Sequence, residues 1–198
     1  MKQAVAKAAA WLAAISQLSK EVWNAFFLLE ESESVEESTK KVALTVGKRI
    51  FYLVADYWLA ALSWSMVITL NALGYAFHLQ LLAMWIFDIL VAGIFVLIFK
   101  KKGLDVTLAV NFRQAVDAVS RKSRLVGKLA VALVIIKAIY WDGPEHVVIF
   151  FEKELKTNVR TILVLVALTA VQALIWTTIC YLGFESISQL WTFLWSAL

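Results

Sequence analysis

From Thr161 to Phe184 the chain carries no charged side chain at all. A helix over that stretch rises about 36 Å, more than the roughly 30 Å of hydrocarbon in a bilayer. Composition points the same way. The chain is 62% hydrophobic and 17% charged, where soluble domains hold about 25% charged residues. Mean hydropathy is +0.77. Such a chain is too apolar to be disordered and does not have the composition of an ordinary soluble enzyme. The sequence predicts an all-α integral membrane protein.

A second charge-poor stretch runs from Ile50 to Phe99, where Asp56 and Asp88 are the only charged residues. It holds two spans, about 51–73 and 79–99, joined by the short link Gly74-Tyr75-Ala76-Phe77-His78 as an antiparallel hairpin. Ala60, Ala61, Ser65 and Thr69 form a small-residue stripe on the first span that permits close helix approach. Lys100, Lys101 and Lys102 end the second span. Residues 104–124 read as an amphipathic helix with Leu108, Phe112, Ala115, Val116 and Val119 on one side. The apolar run 125–141 follows, broken by Lys128 and Lys137, and 161–184 is the final span. Asp142-Gly143-Pro144-Glu145 is a turn and helix-restart signal, with Gly to stop one helix and Pro for the first turn of the next. Residues 147–160 carry a stripe of Val148, Phe151, Leu155 and Val159 opposite Lys153, Lys156 and Arg160.

Outside this bundle of residues 50–184, residues 1–29 read as an amphipathic interfacial helix. Val5, Trp11, Leu12, Ile15, Leu18, Val22, Phe26 and Leu29 share one half of the helical wheel, and Lys2, Lys7, Gln17, Lys20, Glu21 and Asn24 the other. A signal peptide is the weaker reading, because no small-x-small cleavage site follows convincingly. Residues 30–49 form an acidic, then basic, cytoplasmic link. Residues 185–198 form an apolar, Trp-rich interfacial tail.

Basic residues mark the cytoplasmic side. Lys40, Lys41, Lys48 and Arg49 precede the first span, and Lys100–Lys102, Arg113, Arg121, Lys122 and Arg124 follow the second. The amino terminus is therefore expected in the cytoplasm. The run 125–141 sets up a conflict. If it crosses, Lys153, Lys156 and Arg160 lie outside, against the charge rule, and 147–160 must turn aside along the membrane surface. If it does not cross, a very apolar helix needs cover from partners. Three or four spans are therefore expected, with four favoured.

Charged groups in mid-membrane cost about 2.5–3.5 kcal/mol. Asp88 lies about 18 Å from Lys100, and Lys137 about 19 Å from Arg124, along straight helices. Gln172 stands at a similar depth above Arg160. These three are the candidate functional residues. The expected arrangement is an Asp88–Lys137 contact, bridged by Gln172 or water, with a role in fixing helix register preferred over an ion or proton relay. Asp56 and Lys128 reach the interface by snorkelling, and His78 belongs to the external turn.

No catalytic motif occurs in the chain: there is no G-x-S-x-G, Walker A, H-E-x-x-H or C-x-x-C. Glu145 adjoins His146, but neighbours in sequence do not face each other on a helix. No catalytic, metal-binding or cofactor-binding residue is assigned, and the lone Cys180 makes no internal disulfide. The net charge of +4 sits beside apolar segments rather than in a basic groove, so nucleic acid is not an expected partner. The expected role is a non-catalytic polytopic subunit that contacts lipid and packs into a homo- or hetero-oligomeric membrane assembly. The alternative is an ion or proton channel, or a small-solute transporter, that uses Asp88, Lys137 and Gln172.

Overall fold

The computed structural model describes residues 2–30 and 32–196, and every regular element among them is helical. Three helices are long and apolar enough to cross a membrane: α2 (Val35–Ala72), α3 (Phe77–Lys102) and α8 (Asn158–Ser196). Around them lie α1 (Lys2–Phe27), α4 (Ala109–Lys122), α5 (Arg124–Lys137), a π-helical turn (Ala138–Asp142), α6 (Pro144–Phe150) and α7 (Glu152–Leu155).

Local chemistry sets the ends of the long helices. The Ser34 side chain accepts from the Glu37 amide, with Glu36 and Glu37 in the first turn, so α2 begins well before the apolar stretch. Gly74 takes φ +78° in the link to α3, a value glycine adopts without steric cost. Gly103 ends α3 in the left-handed region after three lysines. At the other end of the core, α8 is a single helix through the final span and on to Ser196.

The long helices form one bundle, with α3 antiparallel to both α2 and α8. At one level Val67, Met84 and Ala173 are buried together, with Trp85, Trp176 and Cys180 against them. At another, Ala92 and Val96 meet Val148 and Leu165. Trp85 Nε1 donates to Val166 O and Thr169 Oγ1, both at 3.2 Å. Lys100 Nζ donates to Asn158 Oδ1 at 2.8 Å, so α8 starts beside the end of α3. The expected small-residue stripe does not mediate this packing. Ala61, Ser65 and Thr69 face outward, and both hydroxyls bond to carbonyls of their own helix. Ser63 and Val67 face inward instead.

The other helices cluster at the end of the bundle that carries Lys100 and Asn158. The Asp105 carboxylate accepts from Thr107 N, Thr107 Oγ1 and Val110 N, fixing the start of α4. Helices α4 and α5 pack closely where Gly127 meets Ser120; a Cβ there would lie 2.8 Å from Ser120 Cα. On its other side α4 carries α1, through Phe26 on Phe112 and a Glu21–Lys122 ion pair at 3.0 Å. Of the wheel positions expected on α1, Lys2, Val5, Lys7 and Trp11 have side chains outside the described residues.

Residues 125–141 do not form one straight helix. Helix α5 ends at Lys137, the π turn follows, and the chain reverses at Gly143, with φ +85°, and Pro144. It returns as α6, in which every residue is buried. The amphipathic helix expected over 147–160 is absent. That stretch is broken after Phe150 and again at Lys156, with φ +50°, and its first four residues are buried on all sides rather than along one stripe.

Candidate functional site

The reversal at Gly143 carries a run of polar residues into the interior. Asp142, Glu145 and His146 are 1%, 3% and 2% exposed. Burying such groups is costly unless they are paired, and Asp142 is paired twice. Arg49 Nη2 on α2 donates to Asp142 Oδ1 at 2.9 Å, and Lys137 Nζ donates to Asp142 Oδ2 at 2.5 Å. Burial works to raise the Asp142 pKa, but these two cations outweigh it and hold the carboxyl below its ordinary value.

Tyr52 lies one turn along α2 from Arg49 and is fully buried, its ring packed on Phe95 of α3. Its hydroxyl meets two acceptors, the Asp142 carbonyl oxygen and Glu145 Oε1, the latter at 2.9 Å. A hydroxyl has one proton to give. Both contacts are satisfied together when Glu145 is protonated and donates back to Tyr52 Oη. Burial favours that state, raising the Glu145 pKa from 4.5 to about 8. Beside it, burial lowers His146 to about 4, so this imidazole is neutral, its ring edge-on to Phe112 at 5.4 Å. This level is close to the Lys100 end of the bundle, since Phe95 is about 7.5 Å from Lys100 along α3.

Above this cluster is a cavity of about 140 Å³ between α2, α3, the π turn, α6 and α8. Asp56, Asp88 and Glu145 line it, with Gln172 and Ser63. Its described lining residues include no lysine, arginine or histidine. Tyr57, Trp64, Phe87, Tyr140, Trp141 and Trp176 supply aromatic walls. Tyr57, Trp64, Tyr140 and Trp141 are also surface-exposed, which places the mouth between α2 and the π turn. Asp88 Oδ2 is buried and has no hydrogen-bond partner among the described residues.

Two of the three candidates from sequence, Asp88 and Gln172, thus line one cavity. Lys137 does not join them. Its ammonium sits on Asp142 and over the Phe112 ring at 5.1 Å, so the expected Asp88–Lys137 contact is not formed. The expected pairing fails because the π turn and the reversal at Gly143 bring Asp142, an acid of its own chain segment, onto Lys137. Asp56, expected to snorkel, lines the cavity instead. Arg49, Tyr52, Asp142, Glu145 and His146 were not expected at a site. The available signal was three polar residues, Asp142, Glu145 and His146, directly after an apolar run.

Among the described residues no group of histidines, cysteines and carboxylates is arranged to hold a metal ion. Comparison with protein-family models, curated proteins and solved structures finds no match to this chain.

Proposed function

We propose that the protein is a small membrane transporter or channel for a cation, with the acid-lined cavity as its binding site. The observation that carries this reading is three carboxylic acids in one partly enclosed cavity with no basic lining residue. Carboxylates gathered in a low-dielectric space repel one another, and protons or a bound cation relieve that repulsion. In this reading Asp88 and Gln172 belong to the site. Lys137 acts at one remove, by holding Asp142 and so the turn that presents Glu145.

The topology proposed is three spans, α2, α3 and α8, with residues 124–150 as a hairpin that enters and leaves on the cytoplasmic side. Non-helical backbone is tolerated at membrane depth where protein buries it, as it does Gly143. This arrangement removes the conflict over charge. Lys153, Lys156 and Arg160 then join Lys100–Lys102, Arg113 and Arg121 on one side, and the amino terminus is cytoplasmic. Cation flux into proteoliposomes, measured for protons, for monovalent metal ions and for small organic ammonium ions, tests the function. Flux that falls at least tenfold in Asp88→Asn supports the site; flux equal in the variant and wild type rejects it.

A second reading, a subunit of a larger membrane assembly, is favoured by one observation. Leu125, Leu129, Leu133 and Ile136 form an exposed apolar stripe along α5, at helical spacing. Cross-linking through cysteines placed at Leu129 and Leu133 in membranes tests it, and exclusively monomeric product counts against it.

A further inference from the structure

We infer that the cavity takes a small protonated alkylamine, a monocation with at least one N–H and compact apolar substituents, rather than an inorganic ion. The inference rests on the proposed cation site and narrows its ligand by size, wall chemistry and hydrogen bonding.

Size comes first. The cavity measures about 140 Å³, close to the roughly 150 Å³ of an apolar cavity that accepts benzene. A ligand of four to six heavy atoms is of that order. The walls come second. Six aromatic residues line the cavity, and the Trp64 and Trp176 rings lie 5.4 Å apart at a tilt. Ring faces attract cations, and methylated ammonium groups most familiarly. A hard metal cation instead needs a shell of oxygens, six to eight for calcium. Here, although three carboxylic acids line the cavity, no group of three or more carboxylates, histidines or cysteines among the described residues is arranged to hold a metal ion.

Hydrogen bonding decides between kinds of organic cation. The Asp88 carboxylate lines the cavity, and its buried Oδ2 has no donor among the described residues, so a carboxylate left without a donor here is costly. An ammonium N–H donates to this carboxylate while its alkyl groups rest on Trp176 and Phe87, which line the same cavity. A quaternary ammonium fits the rings but leaves Asp88 unpaired.

Calorimetric titration of the purified full chain in detergent at pH 7 tests the inference, with trimethylammonium, tetramethylammonium and potassium chlorides at matched ionic strength. The expected result is saturable binding of trimethylammonium, at least tenfold weaker binding of tetramethylammonium, and no saturable binding of potassium. Asp88→Asn should weaken trimethylammonium at least tenfold. Trp176→Leu should weaken it severalfold, a second variant that leaves every carboxylate in place; unfolding temperatures confirm that each variant is folded. Potassium binding as tight as trimethylammonium, or tetramethylammonium binding as tight as trimethylammonium, overturns the inference. So does unchanged affinity in folded Asp88→Asn. If trimethylammonium does not bind but Asp88-dependent flux persists, the transport reading stands and this ligand class falls; if neither is seen, both fall. A lipid ethanolamine headgroup carries the same chemistry. Repeating the titration in nanodiscs with and without phosphatidylethanolamine separates the sources, because competition by that lipid assigns the site to the headgroup and its absence to a free amine.

Discussion

Arg49 Nη2 and Asp142 Oδ1 are 2.9 Å apart, joining the start of the apolar part of α2 to the end of the π turn. Around this pair Lys137 holds the second carboxylate oxygen and Tyr52 holds the carbonyl. The turn that delivers Glu145 to the cavity is thus fastened from α2 and from its own approach helix. Arg49 and Asp142 side chains are 23% and 2% exposed, and that of Lys137 is 45% exposed.

That difference in exposure sets unequal costs. Asp142→Ala strands a mostly buried guanidinium and should lower stability by about 3 kcal/mol. Lys137→Met removes a half-exposed partner while Arg49 remains, and should cost under about 1 kcal/mol. Chemical unfolding in detergent measures both. Equal losses would show that the Arg49 bond does not dominate.

Tyr52→Phe leaves the ring on Phe95 and removes only the hydroxyl. The Asp142 carbonyl and Glu145 then lose a buried partner, at a cost of about 1–3 kcal/mol. A variant as stable as wild type in the same unfolding assay would remove Tyr52 from the account.

Glu145 gives a signed dependence on pH. Its pKa is raised on folding, from 4.5 to about 8, so its contribution is complete below 4.5 and is lost as pH rises through 8. His146 is lowered from 6.5 to about 4, so it destabilises the fold as pH falls from 6.5 towards 4. Between pH 6.5 and 8 the folded imidazole stays neutral while the unfolded one loses its remaining half proton, a gain of about 0.4 kcal/mol. The fall of about 1.6 kcal/mol that belongs to Glu145 therefore appears as about 1.2 kcal/mol. Glu145→Gln should flatten thermal stability across that window. An unchanged slope in the variant would assign the effect elsewhere.

Gly143→Ala should be among the more damaging single-methyl changes. The backbone there has φ +85°, and a Cβ would meet the Glu145 carboxylate oxygens at 2.5 Å, so a loss of about 2 kcal/mol or more is expected. Gly93→Ala in α3 is the control, since nothing lies within 4 Å of its Cβ, and it should be neutral or stabilising by up to about 1 kcal/mol.

The long helices were legible because charge is depleted over Ile50–Phe99 and Thr161–Phe184, and a bilayer leaves few other uses for such runs. Asp88 and Gln172 were legible as costly polar groups inside them. Tyr52 was not, because a tyrosine near a helix end reads as an interfacial anchor. Asp142-Gly143-Pro144-Glu145 was legible as a turn, but nothing local distinguishes a turn in water from one buried among helices. From sequence, Glu145 and His146 read as pointing apart, because neighbours on a helix do not face each other. In α6 that reasoning fails, since the helix is buried on every side and both side chains are interior whichever way they point. Lys137 reads from sequence as a partner for Asp88 because nothing local shows that the chain folds back beyond Ala138 and brings Asp142 onto its ammonium.

Everything proposed for the cavity depends on residues 144–160 returning to the side from which 124–141 came. In a Cys180→Ala background, single cysteines at Lys101, Lys156 and His78 can be labelled in sealed vesicles with a membrane-impermeant maleimide. Lys156→Cys should label from the same side as Lys101→Cys, with His78→Cys reached only from the other. Labelling of Lys156→Cys from the side of His78→Cys would make residues 125–141 a fourth span and contradict the hairpin that carries Glu145 into the cavity.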